Sequence, residues 1–100
     1  TPSHVSIGNM ILDLQNRSVV VEGKKVVLTN KEFLVLRLLV QQPGRIFSKV
    51  NVLESVWEVS AESESNVVEA TLNSVRKKLR ESGATVQIKN MRNVGYWLES

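Results

Sequence analysis

The 100-residue sequence contains no cysteine, one histidine (His4) and one aspartate (Asp13). Without cysteine there is no thiolate nucleophile, no redox pair and no sulfur metal site, a composition compatible with the cytoplasm. A Ser-His-Asp triad would need both His4 and Asp13 in the N-terminal region, and a metal site would rest on solvated glutamates. None of the five glycines forms a phosphate-cradling motif. Long apolar runs are also missing: Arg37 interrupts the longest, far short of the roughly 20 residues that span a bilayer, and no signal-peptide pattern opens the chain. These absences exclude most enzyme classes, and no cofactor is implied.

What is present is the composition of one ordinary folded domain, 42% hydrophobic and 23% charged. A core this small is marginal, so most apolar side chains are committed to structure. The net charge of +3 is unevenly distributed. Residues 1–49 and 76–100 are net basic, whereas 50–75 hold five glutamates (Glu54, Glu58, Glu62, Glu64, Glu69) and no Lys or Arg. Such a chain can show a polyanion one face and a basic partner another.

The first 28 residues read as strands with tight turns. Gly8-Asn9 separates Val5-Ser6-Ile7 from Met10-Ile11-Leu12, and Glu22-Gly23 separates Val19-Val20-Val21 from Lys25-Val26-Val27-Leu28. Thr29 and Glu32 form a capping box, and the run Phe33–Val40, apolar nearly all round, predicts a buried central helix ended by Pro43-Gly44. Ser48 is the N-cap expected of a second helix with Val50, Leu53 and Trp57 on its inner face. The polar stretch 60–65 reads as an exposed connection.

A third helix follows, with Val68, Leu72, Val75 and Leu79 as its core stripe. That stripe points Asn66, Ala70, Asn73, Ser74 and Lys77 outward, with Arg76 and Arg80 on one flank and Lys78 on the other. Gly83 terminates it. The tail alternates again, Val86, Ile88 and Asn90 against Gln87, Lys89 and Met91, turns near Arg92-Asn93 and returns through Tyr96-Trp97-Leu98. A helix with a cationic polar face followed by a basic hairpin is suited to a charged groove. Arg76, Lys77, Lys78 and Arg80 would neutralise phosphates without sequence choice, while Asn73 has the donor and acceptor to bridge adenine N6 and N7 and Ala70 permits close approach.

The blander readings differ by residue. Charged helix runs are usually solvated faces, and Arg76 could pair with Glu69 or Glu81 for little energy. Trp57 and Trp97 fit core or wing packing better than base stacking, and Tyr96 can pack its ring while its hydroxyl reaches outward.

Several strings occur in order over essentially the whole chain: Leu28-Thr29 with Glu32-Phe33 and Leu36, Pro43-Gly44-Arg45 with Ser48, Leu53 with Val56-Trp57, Val75-Arg76-Lys77-Lys78-Leu79, and Val94-Gly95-Tyr96. Together they resemble the output domains of OmpR/PhoB-type response regulators. The resemblance implies an α+β winged helix-turn-helix with an N-terminal four-stranded antiparallel sheet, three helices and a C-terminal β-hairpin wing. It implies sequence-specific binding of double-stranded DNA, with the third helix in the major groove and the wing in the minor groove. Asn73 and Ser74 match positions that often reach bases, Thr71 and Arg76 match backbone contacts, Arg92 matches the wing-tip arginine, and Tyr96 matches a phosphate-supporting tyrosine. Asn93 stands where the family usually has a wing glycine, and Asn73-Ser74 replaces a pair that commonly includes arginine, so the family's base rules do not transfer.

The same resemblance implies promoter direct repeats as targets, a receiver domain ahead of this one with residues 1–3 as linker, and RNA polymerase meeting the 58–65 connection. It further implies an isolated domain that is monomeric, dimerising on DNA. A ToxR-like membrane-anchored parent, or a winged helix used for protein–protein contact, are the alternative expectations.

Overall fold

A computed structural model of the chain describes residues 4–57, 66–91 and 93–99, and of Asn66 only the backbone. Thr1–Ser3, the 58–65 connection and Arg92 lie outside the described residues.

Strands β1 (His4–Ile7), β2 (Met10–Asp13), β3 (Ser18–Val21) and β4 (Lys24–Val26) form an antiparallel meander in that order. The period-2 pattern is realised directly: Met10, Leu12, Val19, Val21 and Val26 are buried while Ile11 faces out. Glu22 and Gly23 both take positive φ (49° and 81°), as the two central residues of a type I′ turn must. The fourth strand ends at Val26 rather than Leu28; Val27 is 76% exposed, because the chain leaves the sheet to enter the cap at Thr29.

Helix α1 (Asn30–Gln41) begins with the expected reciprocal box, Glu32 N–H donating to Thr29 Oγ1 and Thr29 N–H to Glu32 Oε1 at 3.2 and 2.8 Å. Phe33, Val35, Leu36, Leu39 and Val40 fill the core. Helix α2 (Lys49–Val52) starts at a second box, between Ser48 and Asn51, and runs into a π-helical turn over Leu53–Trp57. Here the expected inner face needs correction. Val50 is 41% exposed, and Val52, Leu53 and Val56 carry the burial. The wider π-helical turn re-phases the stripe, which centres on Leu53 but leaves Val50 over solvent and Trp57 half-buried. Lys31 covers the Trp57 ring at 5.8 Å and donates to the Val56 carbonyl.

Helix α3 (Asn66–Ser82) buries Val68, Leu72, Val75 and Leu79, packs on α1 and is closed by Gly83. The last two strands, β5 (Gln87–Met91) and β6 (Gly95–Glu99), pair as an antiparallel hairpin with Ile88 opposite Leu98 and Asn90 opposite Tyr96. Phe47, just before α2, bridges Tyr96 through two 2.8 Å backbone bonds. The approach is close enough that a Cβ on Gly95 would meet the Phe47 carbonyl oxygen at 2.3 Å.

Candidate nucleic-acid interface

The start of α2, the outer side of α3 and the hairpin enclose an open groove of about 680 Å³. Ser48, Lys49 and Val50 form one wall, Glu69, Asn73 and Arg76 the floor, and Asn90, Met91 and Asn93 to Tyr96 of the hairpin the other wall. Of the residues expected to face outward, Ala70, Asn73, Lys77 and Arg80 are exposed, as is Asn93 at the hairpin tip. Thr71 is half-buried. Asn93 takes the positive φ (67°) that its place in the turn demands, a conformation asparagine tolerates better than most residues.

Ser74, expected to face outward, and Lys78, expected on the flank, are both drawn to Glu32 instead. Ser74 Oγ donates to Glu32 Oε2, and Lys78 Nζ lies 2.6 Å from Glu32 Oε1. Glu32 is only 5% exposed, and together with Lys78 it forms a partly buried ion pair between α1 and α3. The reason is spacing: Ser74 and Lys78 are one helical turn apart on the flank nearest α1, and a buried carboxylate needs donors. Burial alone would raise the Glu32 pKa. The hydrogen bonds from Lys78, Ser74 and the Thr29 amide, with the Lys78 charge, outweigh it and hold the carboxyl down at about 2.

Arg76 is likewise committed. Its Nε donates to the Ile88 carbonyl at 2.9 Å, Nη2 to Asn90 Oδ1 at 2.7 Å and Nη1 to Asn73 Oδ1 at 2.9 Å. The alternative pairing with Glu69 or Glu81 is not formed among the described residues; the guanidinium instead fastens α3 to β5. Lys77 and Arg80 are therefore the helix cations that reach solvent with no hydrogen-bond or ion-pair partner among the described residues. Tyr96 is 7% exposed, its phenol pKa pushed up by burial and by the charge of Glu69, with Arg76 opposing. Trp97 donates from Nε1 to Glu99 at 2.8 Å.

One contact had no sequence signal beyond a turn. Asn9 in the β1–β2 turn donates from Nδ2 to the Gly83 carbonyl, and its Oδ1 accepts from the Thr85 amide at 2.8 Å. The sheet is thereby latched to the end of α3. The closeness also explains Gly8, where a Cβ would meet Thr85 Oγ1 at 2.5 Å.

His4 and Asp13, the pair weighed for catalysis, lie 3.4 Å apart at the outer end of the first sheet, and Asp13 caps its own turn through Gln15 and Asn16. Among the described residues no cluster of three or more metal-ligating side chains occurs, and no helix is long and apolar enough to cross a membrane.

A four-stranded sheet, three helices and a hairpin bonded back onto the entry to the second helix define a winged helix-turn-helix domain. Residues 23–98 match the family described as transcriptional regulatory protein, C terminal, and the chain belongs to it. This is the OmpR/PhoB-type family that its motif strings resemble. The chain is similar to the transcriptional regulatory protein PcoR of Escherichia coli, 32% identical over 94 residues covering 94% of this chain and 42% of PcoR. It is 31% identical over 98 residues to the heme response regulator HssR of Staphylococcus aureus, covering 98% of this chain and 44% of HssR. The RstA DNA-binding domain of Klebsiella pneumoniae, solved in complex with the RstA box, superposes with a TM-score of 0.86 at 28% identity, covering 96% of each chain. The chain spans less than half the length of the curated relatives it matches.

Proposed function

We propose that this chain binds double-stranded DNA sequence-specifically as the output domain of a response regulator, α3 entering the major groove and the hairpin the adjacent minor groove. The carrying observation is the outer side of α3, where Asn73, Lys77 and Arg80 stand exposed beside a hairpin fastened to the same helix by Arg76. Lys77 and Arg80 supply phosphate neutralisation, which gives affinity without base choice. Asn73, with Ala70 one turn before it, is in position to approach base edges. The RstA domain, similar in fold and sequence, was solved in complex with the RstA box, which supports DNA binding by this chain.

The remaining expectations stand as parts of the same proposal: Arg92 and Asn93 in the wing, Tyr96 beside the backbone, and a parent carrying a receiver that acts in the cytoplasm. Direct-repeat half-sites, dimerisation on DNA and polymerase contact through residues 58–65 also belong to it. Titration of the chain against promoter fragments and random duplex at several salt concentrations tests it. Affinity should fall steeply with salt on both, with an added preference for particular promoters. Binding indifferent to salt and sequence refutes the reading and leaves protein–protein contact as the use of this face.

A further inference from the structure

We propose that Asn73 reads the exocyclic group of one base, favouring a keto base (guanine or thymine) over an amino base (adenine or cytosine), and that Arg76 is the positioning residue that sets this choice. The inference rests on the reading that the outer face of α3 enters the major groove, and deepens it.

A free asparagine amide is ambivalent, because its oxygen accepts, its nitrogen donates, and half a turn about its last torsion exchanges them. Here the exchange is closed off. Arg76 Nη1 donates to Asn73 Oδ1 at 2.9 Å, while the same guanidinium donates to the Ile88 carbonyl and to Asn90 Oδ1. Three bonds to acceptors on two elements leave the planar fork little freedom. Turning the Asn73 amide over would press its N–H₂ against a cation that only donates. The oxygen therefore faces the hairpin, and the nitrogen is left as the outward group of an exposed side chain, with no acceptor among the described residues.

In the major groove guanine N7 and O6, adenine N7 and thymine O4 accept, whereas the exocyclic amines adenine N6 and cytosine N4 donate. Aimed at the exocyclic position, a lone outward donor bonds guanine O6 or thymine O4 and sets N–H against N–H at adenine N6 or cytosine N4, leaving adenine only the N7 that guanine offers as well. The bidentate adenine contact expected from the sequence needs oxygen and nitrogen side by side, and here the oxygen serves Arg76. Neither neighbour restores an acceptor at that point: Ser74 is drawn to Glu32, and Ala70 has no polar side-chain atom.

Site selection from random duplexes, run on the wild-type chain, Asn73→Asp and Arg76→Met, tests this. Aspartate is nearly isosteric and keeps one oxygen for Arg76, so α3 stays fastened to the hairpin while the outward donor becomes an acceptor. The wild type should show one half-site position where guanine or thymine is recovered roughly tenfold over the amino bases, within the range of such contacts. Asn73→Asp should reverse that position to cytosine or adenine and leave the others unchanged. Arg76→Met should admit adenine there, because the amide is free to turn. A purely structural role for either residue would lower recovery across the whole site without exchanging the base at one position. Adenine chosen by the wild type at the Asn73-dependent position, or an Asn73→Asp profile identical to the wild type, overturns the inference while DNA binding stands. Absence of any specific, salt-dependent binding overturns both.

Discussion

Replacing Glu32 with glutamine removes one charge and no volume, and its effect should depend on pH in a way that packing changes do not. In the folded protein the carboxyl is held at about 2, against an ordinary value of 4.5. At 1.36 kcal/mol per unit this displacement corresponds to about 3 kcal/mol of linked stability. The sign follows from the depression. The stabilisation is fully present above the unfolded value of 4.5, and is lost as the pH falls toward 2 and the folded carboxyl protonates. Solvent screening reduces it little, since the Glu32 side chain is 7% exposed. Glutamine keeps the shape and can still accept from Thr29, so the gap between wild type and Glu32→Gln at pH 7 should be about 2–3 kcal/mol, the scale of a broken buried pair. For a chain of this length that is a drop of about 10–20 °C in melting temperature. Urea unfolding of both proteins in steps from pH 7 to pH 3 measures it: the gap should be flat to about pH 5 and narrow below. A gap of constant size across that range would mean that shape, not charge, ties α1 to α3, and would refute the argument.

Other substitutions probe the remaining links. Gly95→Ala places a Cβ 2.3 Å from the Phe47 carbonyl at a φ of 151°, and should cost about 2 kcal/mol or more by thermal melt; a neutral result means the bridge between the hairpin and the entry to α2 is not needed. Asn9→Ala breaks the latch to Gly83 and Thr85 and should cost about 1–2 kcal/mol, with amide exchange faster at the end of α3; unchanged exchange there would show the latch to be passive. Lys77→Ala and Arg80→Ala should each weaken binding to specific and random duplex alike and reduce the salt slope by about one, whereas Lys78→Ala should act chiefly on stability; a full salt-slope loss for Lys78→Ala would return it to the phosphate-contacting set.

Most of the fold was legible because it is written in local chemistry. Alternation marked the strands, Thr29 with Glu32 marked the start of α1, and the stripe Val68, Leu72, Val75, Leu79 fixed which side of α3 is buried. Local chemistry failed where a residue serves two elements. Glu32 reads as a cap and is also the acceptor for Ser74 and Lys78, 42 and 46 residues away. Asn9 reads as a turn and holds Thr85, 76 residues away. Val50 was misplaced for a different reason, the π-helical turn from Leu53 to Trp57, which no periodicity of 3.6 anticipates. The capping glutamate offered the one usable hint. It opens a helix with almost no polar face, so its carboxylate could not reach water and required donors from elsewhere.

That pattern separates the basic residues of α3 by what they can do. Four cations fall within Arg76–Arg80, and counting them as one patch implies four equivalent phosphate contacts. Lys78 is held at 2.6 Å by a carboxylate that stays charged at any pH above about 2, so releasing it to a phosphate would strand a buried anion. Arg76 is held by three acceptors, two of them on the hairpin, so releasing it would unfasten the wing. The energy that these two side chains could give to DNA is already spent on orienting α3 against α1 and β5. In the proposed complex, grip is left to Lys77 and Arg80, which have no hydrogen-bond or ion-pair partner among the described residues, and choice to Asn73, whose amide is oriented by one of the bound cations. On that proposal the basic stretch of α3 can still be selective, because half of its charge fixes the geometry through which the other half and a single amide act.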